Sequence, residues 1–153
     1  MSFNEHKKIL KDLKRFEAKV PQMVSDMGAI ALNHYTMSFT NQGFTDTSLV
    51  KWQPRKRASY RTRSGKTVND NTRGILIGKG TANLRKLRKV QSGRYTIFIK
   101  SNPVTDKYAR VHNEGLRAGR GGGFKMPKRE FVGFSRVMND KVYKMIYRTI
   151  AIL

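Results

Sequence analysis

Helical periodicity at both ends, one alternating strand behind a hairpin-type turn, and Gly- and Arg-rich connections between them predict an α+β fold. The expected order is two N-terminal helices, a long basic loop, a small antiparallel sheet and a C-terminal helix. With 153 residues the chain has the size of one ordinary domain, so residues 1–153 are expected to share a single core. Apolar residues make up 38% of it, enough for a modest interior and low for a globular protein.

Ser2-x-x-Glu5 has the form of a capping box, in which a serine oxygen takes one free N–H and a glutamate reaches back. Behind it Ile9, Leu10, Leu13, Phe16 and Val20 recur at helical spacing, with Lys7, Lys11, Lys14 and Arg15 on the other face. Pro21 breaks this helix or opens the next, where a missing N–H does no harm at the first position. The second helix is expected to reach about Phe39, with Met23, Met27, Ile30, His34 and Met37 on one side as core packing. Asn41-Gln42-Gly43 ends it. Residues 44–73 show little periodicity and read as an extended basic loop whose one large apolar anchor is Trp52. A stretch of that length without regular structure is usually functional or ordered by assembly.

Ile75-Leu76-Ile77 is expected to begin the sheet, and Leu84 to Val90 to form a basic strand. Gln91-Ser92-Gly93-Arg94 is a turn, and Tyr95-Thr96-Ile97-Phe98-Ile99 is the clearest strand. Tyr108 to His112 reads as one or two helical turns, residues 115–125 as a Gly/Arg loop, and Phe131 to Phe134 as a last strand. Ser135 is placed to cap the closing helix, with Met138, Val142, Met145, Ile146 and Ile150 on its buried face.

Charge is the unusual feature: 32 Lys and Arg against 10 Asp and Glu give a net +22. Between Lys51 and Lys100 there are fifteen basic residues and one acid, Asp70; from Lys107 to Arg129 there are seven against Glu114 alone. The middle of the chain therefore projects the field, and it calls for a polyanion or an acidic protein surface. No apolar run approaches the roughly 18–20 residues of a membrane span. The N-terminus meets charges at once, unlike a signal peptide, so a soluble protein made in the cytoplasm is expected.

Catalytic patterns find little support, and no enzyme, cofactor or metal is expected. There is no cysteine, and the histidines His6, His34 and His112 are far apart without metal-ligand spacing. His112-x-Glu114 matches the first half of a zinc deaminase signature whose cysteines are absent. Gly74 to Gly80 resembles a phosphate loop but is one residue short, and Gly80 replaces the Ser or Thr that would hold magnesium. The Arg117/Arg120 loop either follows a phosphate backbone or is a mobile surface loop.

Five short segments in one order carry a resemblance. They are Phe39 to Phe44 (FTNQGF), Trp52-Gln53-Pro54, Ile75 to Leu84 (ILIGKGTANL), Tyr108 to Gly115 (YARVHNEG) and Met126 to Phe134 (MPKREFVGF). Together they resemble the phage virion morphogenesis family, the tail-completion proteins of the phage Mu G type. Two departures stand out. The tract before Leu84 carries an insertion, and Lys128-Arg129-Glu130 lacks a second proline. The resemblance implies a small α+β subunit of the virion. It would form a ring, often sixfold, at the head-proximal end of the tail or in the neck, after assembly in the host cytoplasm. There it would complete the tail, join it to the head, and have tail-tube and head–tail connector proteins and channel DNA as partners. On this reading Trp52, Arg55, Lys56, Arg57, Arg61, Arg63 and Lys66 dock on an adjoining subunit or acidic ring. Arg85, Lys86, Arg88 and Lys89, or Arg117 and Arg120, face the lumen, and Arg129 pairs with a neighbour's carboxylates or carbonyls. The alternative is a nonspecific basic nucleic-acid-binding protein working away from any virion.

Overall fold

The computed structural model describes residues 3–55, 59–69, 74–77 and 83–152. Ser2 of the expected capping box lies outside them. Among the described residues three helices and four two-stranded antiparallel ladders follow one another: α1 (Phe3–Asn41), β1 (Gly43–Thr45), β2 (Leu49–Lys51), β3 (Ser59–Arg61), β4 (Thr67–Asn69), β5 (Arg88–Ser92), β6 (Thr96–Lys100), α2 (Pro103–Glu114), β7 (Arg117–Ala118), β8 (Phe124–Lys125) and α3 (Arg136–Ala151). The α+β class stands, with two corrections. One N-terminal helix replaces the expected two, and separate hairpins replace a single sheet.

The helix continues through Pro21 for a visible reason. A proline at that position has no N–H for the carbonyl of Glu17, four residues back. Arg94 supplies the missing donor, its Nη2 reaching the Glu17 carbonyl at 3.3 Å while its Nη1 stands 3.7 Å from the Glu17 carboxylate. The β5–β6 hairpin lies along α1 and brings that arginine in. Lys89 of the hairpin donates to the carbonyl (3.1 Å) and hydroxyl (2.8 Å) of Ser25. Gly28 lets the hairpin come this close: a Cβ there would sit 2.8 Å from Ile97 and from the stem of Lys89.

α1 ends at Gln42, whose φ of 51° turns the chain. Its side-chain amide donates to the Phe39 carbonyl and its side-chain oxygen accepts from the Ile75 amide. Its own carbonyl accepts from the Trp52 amide at 2.8 Å. The core forms around this point: Phe39, Trp52, Leu84 and Phe131 are buried, with Ile75, Leu76, Ile77, Leu87, Ala109 and Val132 against them. Phe39 meets Trp52 nearly edge-on at 5.5 Å and Phe131 at 5.1 Å.

The stretch 44–73, expected as an irregular loop, contains the β1–β2 and β3–β4 hairpins. Ile75 to Ile77 form a turn with Leu76 at φ 61°, not the start of a sheet. The basic strand is confined to β5, paired in full register with β6 from Arg88↔Lys100 to Ser92↔Thr96. The Gly/Arg loop closes on the short β7–β8 ladder, Arg117↔Lys125 and Ala118↔Phe124.

α2 is longer than the expected one or two turns. Asn102 caps it by accepting from the Val104 amide, and Pro103 occupies the first turn. At its other end Gly115 takes φ 72°, the left-handed conformation that a Cβ disfavours, and its amide bonds to the Val111 carbonyl. The end of α2 then organises residues 126–132. The His112 carbonyl accepts from the Arg129 amide at 2.8 Å. The Asn113 side chain accepts from the amides of Phe131 (2.9 Å) and Val132 (3.0 Å) and donates to the Val132 carbonyl (2.9 Å). Phe131 to Phe134 is therefore not the expected strand: a side-chain amide replaces a strand partner there.

Ser135 caps α3 as expected, its hydroxyl accepting from the Met138 amide at 3.1 Å. The Asp46 carboxylate takes the Arg136 amide at 2.8 Å, a favourable place for an anion at a helix start. α3 packs on α1. Its expected inner face is only half-covered: Met138, Val142, Met145 and Ile146 are partly buried and Ile150 is exposed.

Candidate functional site

Two helical faces carry apolar side chains that nothing among the described residues covers. The first lies on the opening turns of α1. From Phe3 to Lys19 every residue but Asp12 is exposed, and burial begins only at Met23 and Val24. Phe3, Leu10 and Leu13 are 73%, 59% and 58% exposed. At about 100° per residue, Phe3, Ile9, Leu10, Leu13 and Phe16 fall on one half of the helix. The acids Glu5, Asp12 and Glu17 fall on that same half, and the basic residues Lys7, Lys8, Lys11, Lys14, Arg15 and Lys19 on the other. The second face lies on α3, where Tyr143, Tyr147 and Ile150 stand at i, i+4 and i+7 and all point to solvent.

The sequence-nominated residues divide sharply. Trp52 and Arg129 are 6% exposed. Trp52, grouped from sequence with the assembly contacts, is a core residue whose indole N–H donates to the Glu130 carbonyl at 2.7 Å. Arg129 donates to the carbonyls of Gln53 (3.1 Å) and Pro54 (3.4 Å), so the Trp-Gln-Pro and Met-Pro-x-Arg segments are tied to each other. Arg55 is partly buried beside them and donates to the Gly74 carbonyl at 3.3 Å. Lys56 and Arg57 lie outside the described residues. Arg61, Arg63 and Lys66 are exposed on the β3–β4 hairpin. Arg85, Lys86 and Arg88 are exposed and near one another in sequence, whereas Lys89 is committed to Ser25 on α1. Arg117 folds over its own loop, donating to the carbonyls of Gly122 (3.2 Å) and Gly123 (3.4 Å); Arg120 is exposed.

Arg129 and Arg55 share a cavity of about 330 Å³ with Ile75, Leu76, Ile77, Leu84, Val104, Tyr108 and His112. Among the described residues no carboxylate lines it and none pairs with Arg129. Burial, and then the charge of Arg55, lower the Arg129 pKa from its ordinary value. His112 is lowered for the same kind of reason, by burial and then by Arg129, so it favours the neutral form. Its Nδ1 is buried without a hydrogen-bond partner among the described residues, a loss of about 1–3 kcal/mol for such an atom. Among the described residues the pocket is therefore apolar-walled and cationic. Sequence reasoning missed it because its members come from four separated segments; Tyr108 and His112, one turn apart, were the visible part of it.

Among the described residues no helix is long and apolar enough to cross a membrane. No curated protein and no solved structure matches the chain. The motif ties are more telling: Trp52 to Glu130, Arg129 to Gln53 and Pro54, and Asn113 to Phe131 and Val132 join three of the five segments that carried the resemblance. They serve one fold, and the phage virion morphogenesis family model covers residues 1–151; the chain belongs to that family.

Proposed function

We propose that this protein is a structural virion subunit. It forms a ring at the head-proximal end of the tail or in the neck, completes the tail and mediates its joining to the head. The observation that carries the reading is the pair of uncovered apolar helical faces on α1 and α3 in a chain of the virion morphogenesis family. A monomer rarely leaves such faces open without an interaction to make. A closed ring repeats one heterologous contact, which needs two different faces on each copy.

Six copies at +22 would carry about +130, so the ring needs counter-charge from its neighbours or from DNA. Arg61, Arg63 and Lys66, with Arg55, Lys56 and Arg57, dock on an adjoining subunit or acidic ring. Arg85, Lys86, Arg88 and Arg120 face the lumen. Electron microscopy of particles made without this protein tests the reading. Headless tails or tails of uncontrolled length are the expected result, and normal virions would refute it.

The exposed basic trio Arg85, Lys86 and Arg88 also suits a free nucleic-acid-binding protein. Salt separates the two readings. Phosphate binding weakens log-linearly as salt rises, while a ring held by packed apolar faces persists.

A further inference from the structure

The side of α1 that faces away from its apolar stripe carries a pattern of its own. At about 100° per residue, Lys7, Lys8, Lys11, Lys14, Arg15 and Lys19 fall within an arc of about 140°. Between Phe3 and Lys19 the arc holds only Asn4 and Ala18 besides, and so no acid, no aromatic ring and no large apolar group. All six cations are exposed. Their side chains have two weak ties among the described residues. Lys7 Nζ lies 4.5 Å from the centre of the Phe3 ring, and Arg15 makes an exposed pair with Asp12 at 3.8 Å. Lys7–Lys11, Lys11–Arg15 and Arg15–Lys19 stand at i, i+4, and Lys8–Lys11 and Lys11–Lys14 at i, i+3. Like charges at these spacings oppose the helix, and a polyanion laid along this side would relieve them.

The groups around the arc select the polyanion. Glu5, Asp12 and Glu17 lie on the other side, with the apolar stripe. An α1 immersed by its apolar side in an anionic lipid surface would carry those carboxylates in with it, unlike an interfacial helix. Single-stranded nucleic acid is held by stacking bases on aromatic rings, and the arc has none. A protein partner would meet an apolar centre inside a polar rim, and the arc has no such centre. A duplex asks only for cations on a rigid support: it presents about one negative charge per 1.7 Å of its axis. The cations from Lys7 to Lys19 span roughly 18 Å of helix.

We infer that this side of α1 is a binding surface for the phosphate backbone of duplex nucleic acid, indifferent to base sequence. The six cations meet phosphates while the carboxylates point away. The apolar stripe stays open for a subunit contact, so the inference stands beside the ring reading and does not rest on it.

The test measures binding of the full-length protein to a short duplex DNA by fluorescence anisotropy over a series of salt concentrations. Three variants of equal net charge are compared with the wild type: Lys7→Gln/Lys11→Gln/Lys14→Gln on α1, Arg61→Gln/Arg63→Gln/Lys66→Gln on the β3–β4 hairpin, and Arg85→Gln/Lys86→Gln/Arg88→Gln. Glutamine keeps the helix propensity of lysine, and circular dichroism and sedimentation check fold and assembly. The α1 variant should bind about tenfold or more weakly at about 0.1 M salt, with a log–log salt dependence shallower by about 2 to 3. The hairpin variant should stay within about threefold of the wild type, and the Arg85 variant should lose less than the α1 variant. Equal losses in all three would assign the binding to the overall field and overturn the inference. A larger loss in the Arg85 variant, or a wild-type protein that ignores the duplex at low salt, would overturn it as well. So would binding to vesicles of anionic phospholipid, or to polyglutamate, that is as tight as to the duplex and equally lost in the α1 variant. None of these failures touches the ring reading, which the particles made without this protein test.

Discussion

The two halves of α1 belong to one continuous helix and do opposite things. From Met23 to Phe39 the helix supplies Met23, Val24, Tyr35 and Phe39 to the interior, and its polar groups are tied down. His34 Nε2 donates to the Thr45 carbonyl at 3.0 Å and Tyr35 to the Gly133 carbonyl at 3.1 Å. From Phe3 to Lys19 the same apolar periodicity continues with nothing among the described residues covering it. Periodicity alone therefore says which face of a helix seeks cover. Whether the cover comes from the same chain depends on how far the rest of the chain reaches.

Substitutions in the two halves should separate by their readout. Phe39→Ala opens the centre of the core and should cost about 3–5 kcal/mol in urea unfolding of the monomer. Leu13→Ala should cost the monomer less than about 0.5 kcal/mol while weakening assembly. A large loss of monomer stability from Leu13→Ala would mean the first turns are packed after all. Next in size is Asn113→Ala, which leaves the Phe131 and Val132 amides unpaired. About 2 kcal/mol should be lost by the same measurement, marking the far side of the core that Phe39 joins. At the junction of the halves, Pro21→Ala restores a donor for the Glu17 carbonyl and should stabilise the monomer by about 1 kcal/mol. In that background Arg94→Ala should cost less than it does in the wild type, since the carbonyl no longer depends on it.

The smallest effect is one of pH. Burial lowers the pKa of His34 and of His112 below the ordinary value, helped by Lys141 for the first and Arg129 for the second. The unfolded chain then binds protons that the folded chain refuses, so stability is greatest above the unfolded histidine pKa and falls as pH drops through it. Melting temperature should decline from pH 7.5 towards 5.5, and His112→Gln should flatten part of that decline. An unchanged slope in the variant would remove His112 from this account.

Much of the local structure was legible in the sequence. The stop at Gln42 and Gly43 and the cap at Ser135 follow from short-range chemistry and appear where they were expected, while the turn expected at residues 91–94 falls at 93–95. The misreadings share a cause. Pro21 reads as a break because its local rule is sound, but Arg94 cancels that rule from 77 residues beyond Glu17. Phe131 to Phe134 has a strand's composition, yet its amides go to Asn113, eighteen and nineteen residues earlier. Trp52 and Arg129 look like exposed contacts in a basic chain. They are buried because each satisfies backbone carbonyls on the other's segment, a pairing that no window along the sequence contains. The charge pattern did not tell which cations are tied into the fold, as Lys89 and Arg117 illustrate.

Hydrogen–deuterium exchange of the free and the assembled protein, compared peptide by peptide, tests the central claim most directly. If the first turns of α1 are an interface waiting for a second copy, residues 3–19 exchange fast in the free chain and become protected on assembly, while residues 23–39 are protected in both. Residues 3–19 exchanging alike in the two states, whether fast or slow, would contradict it.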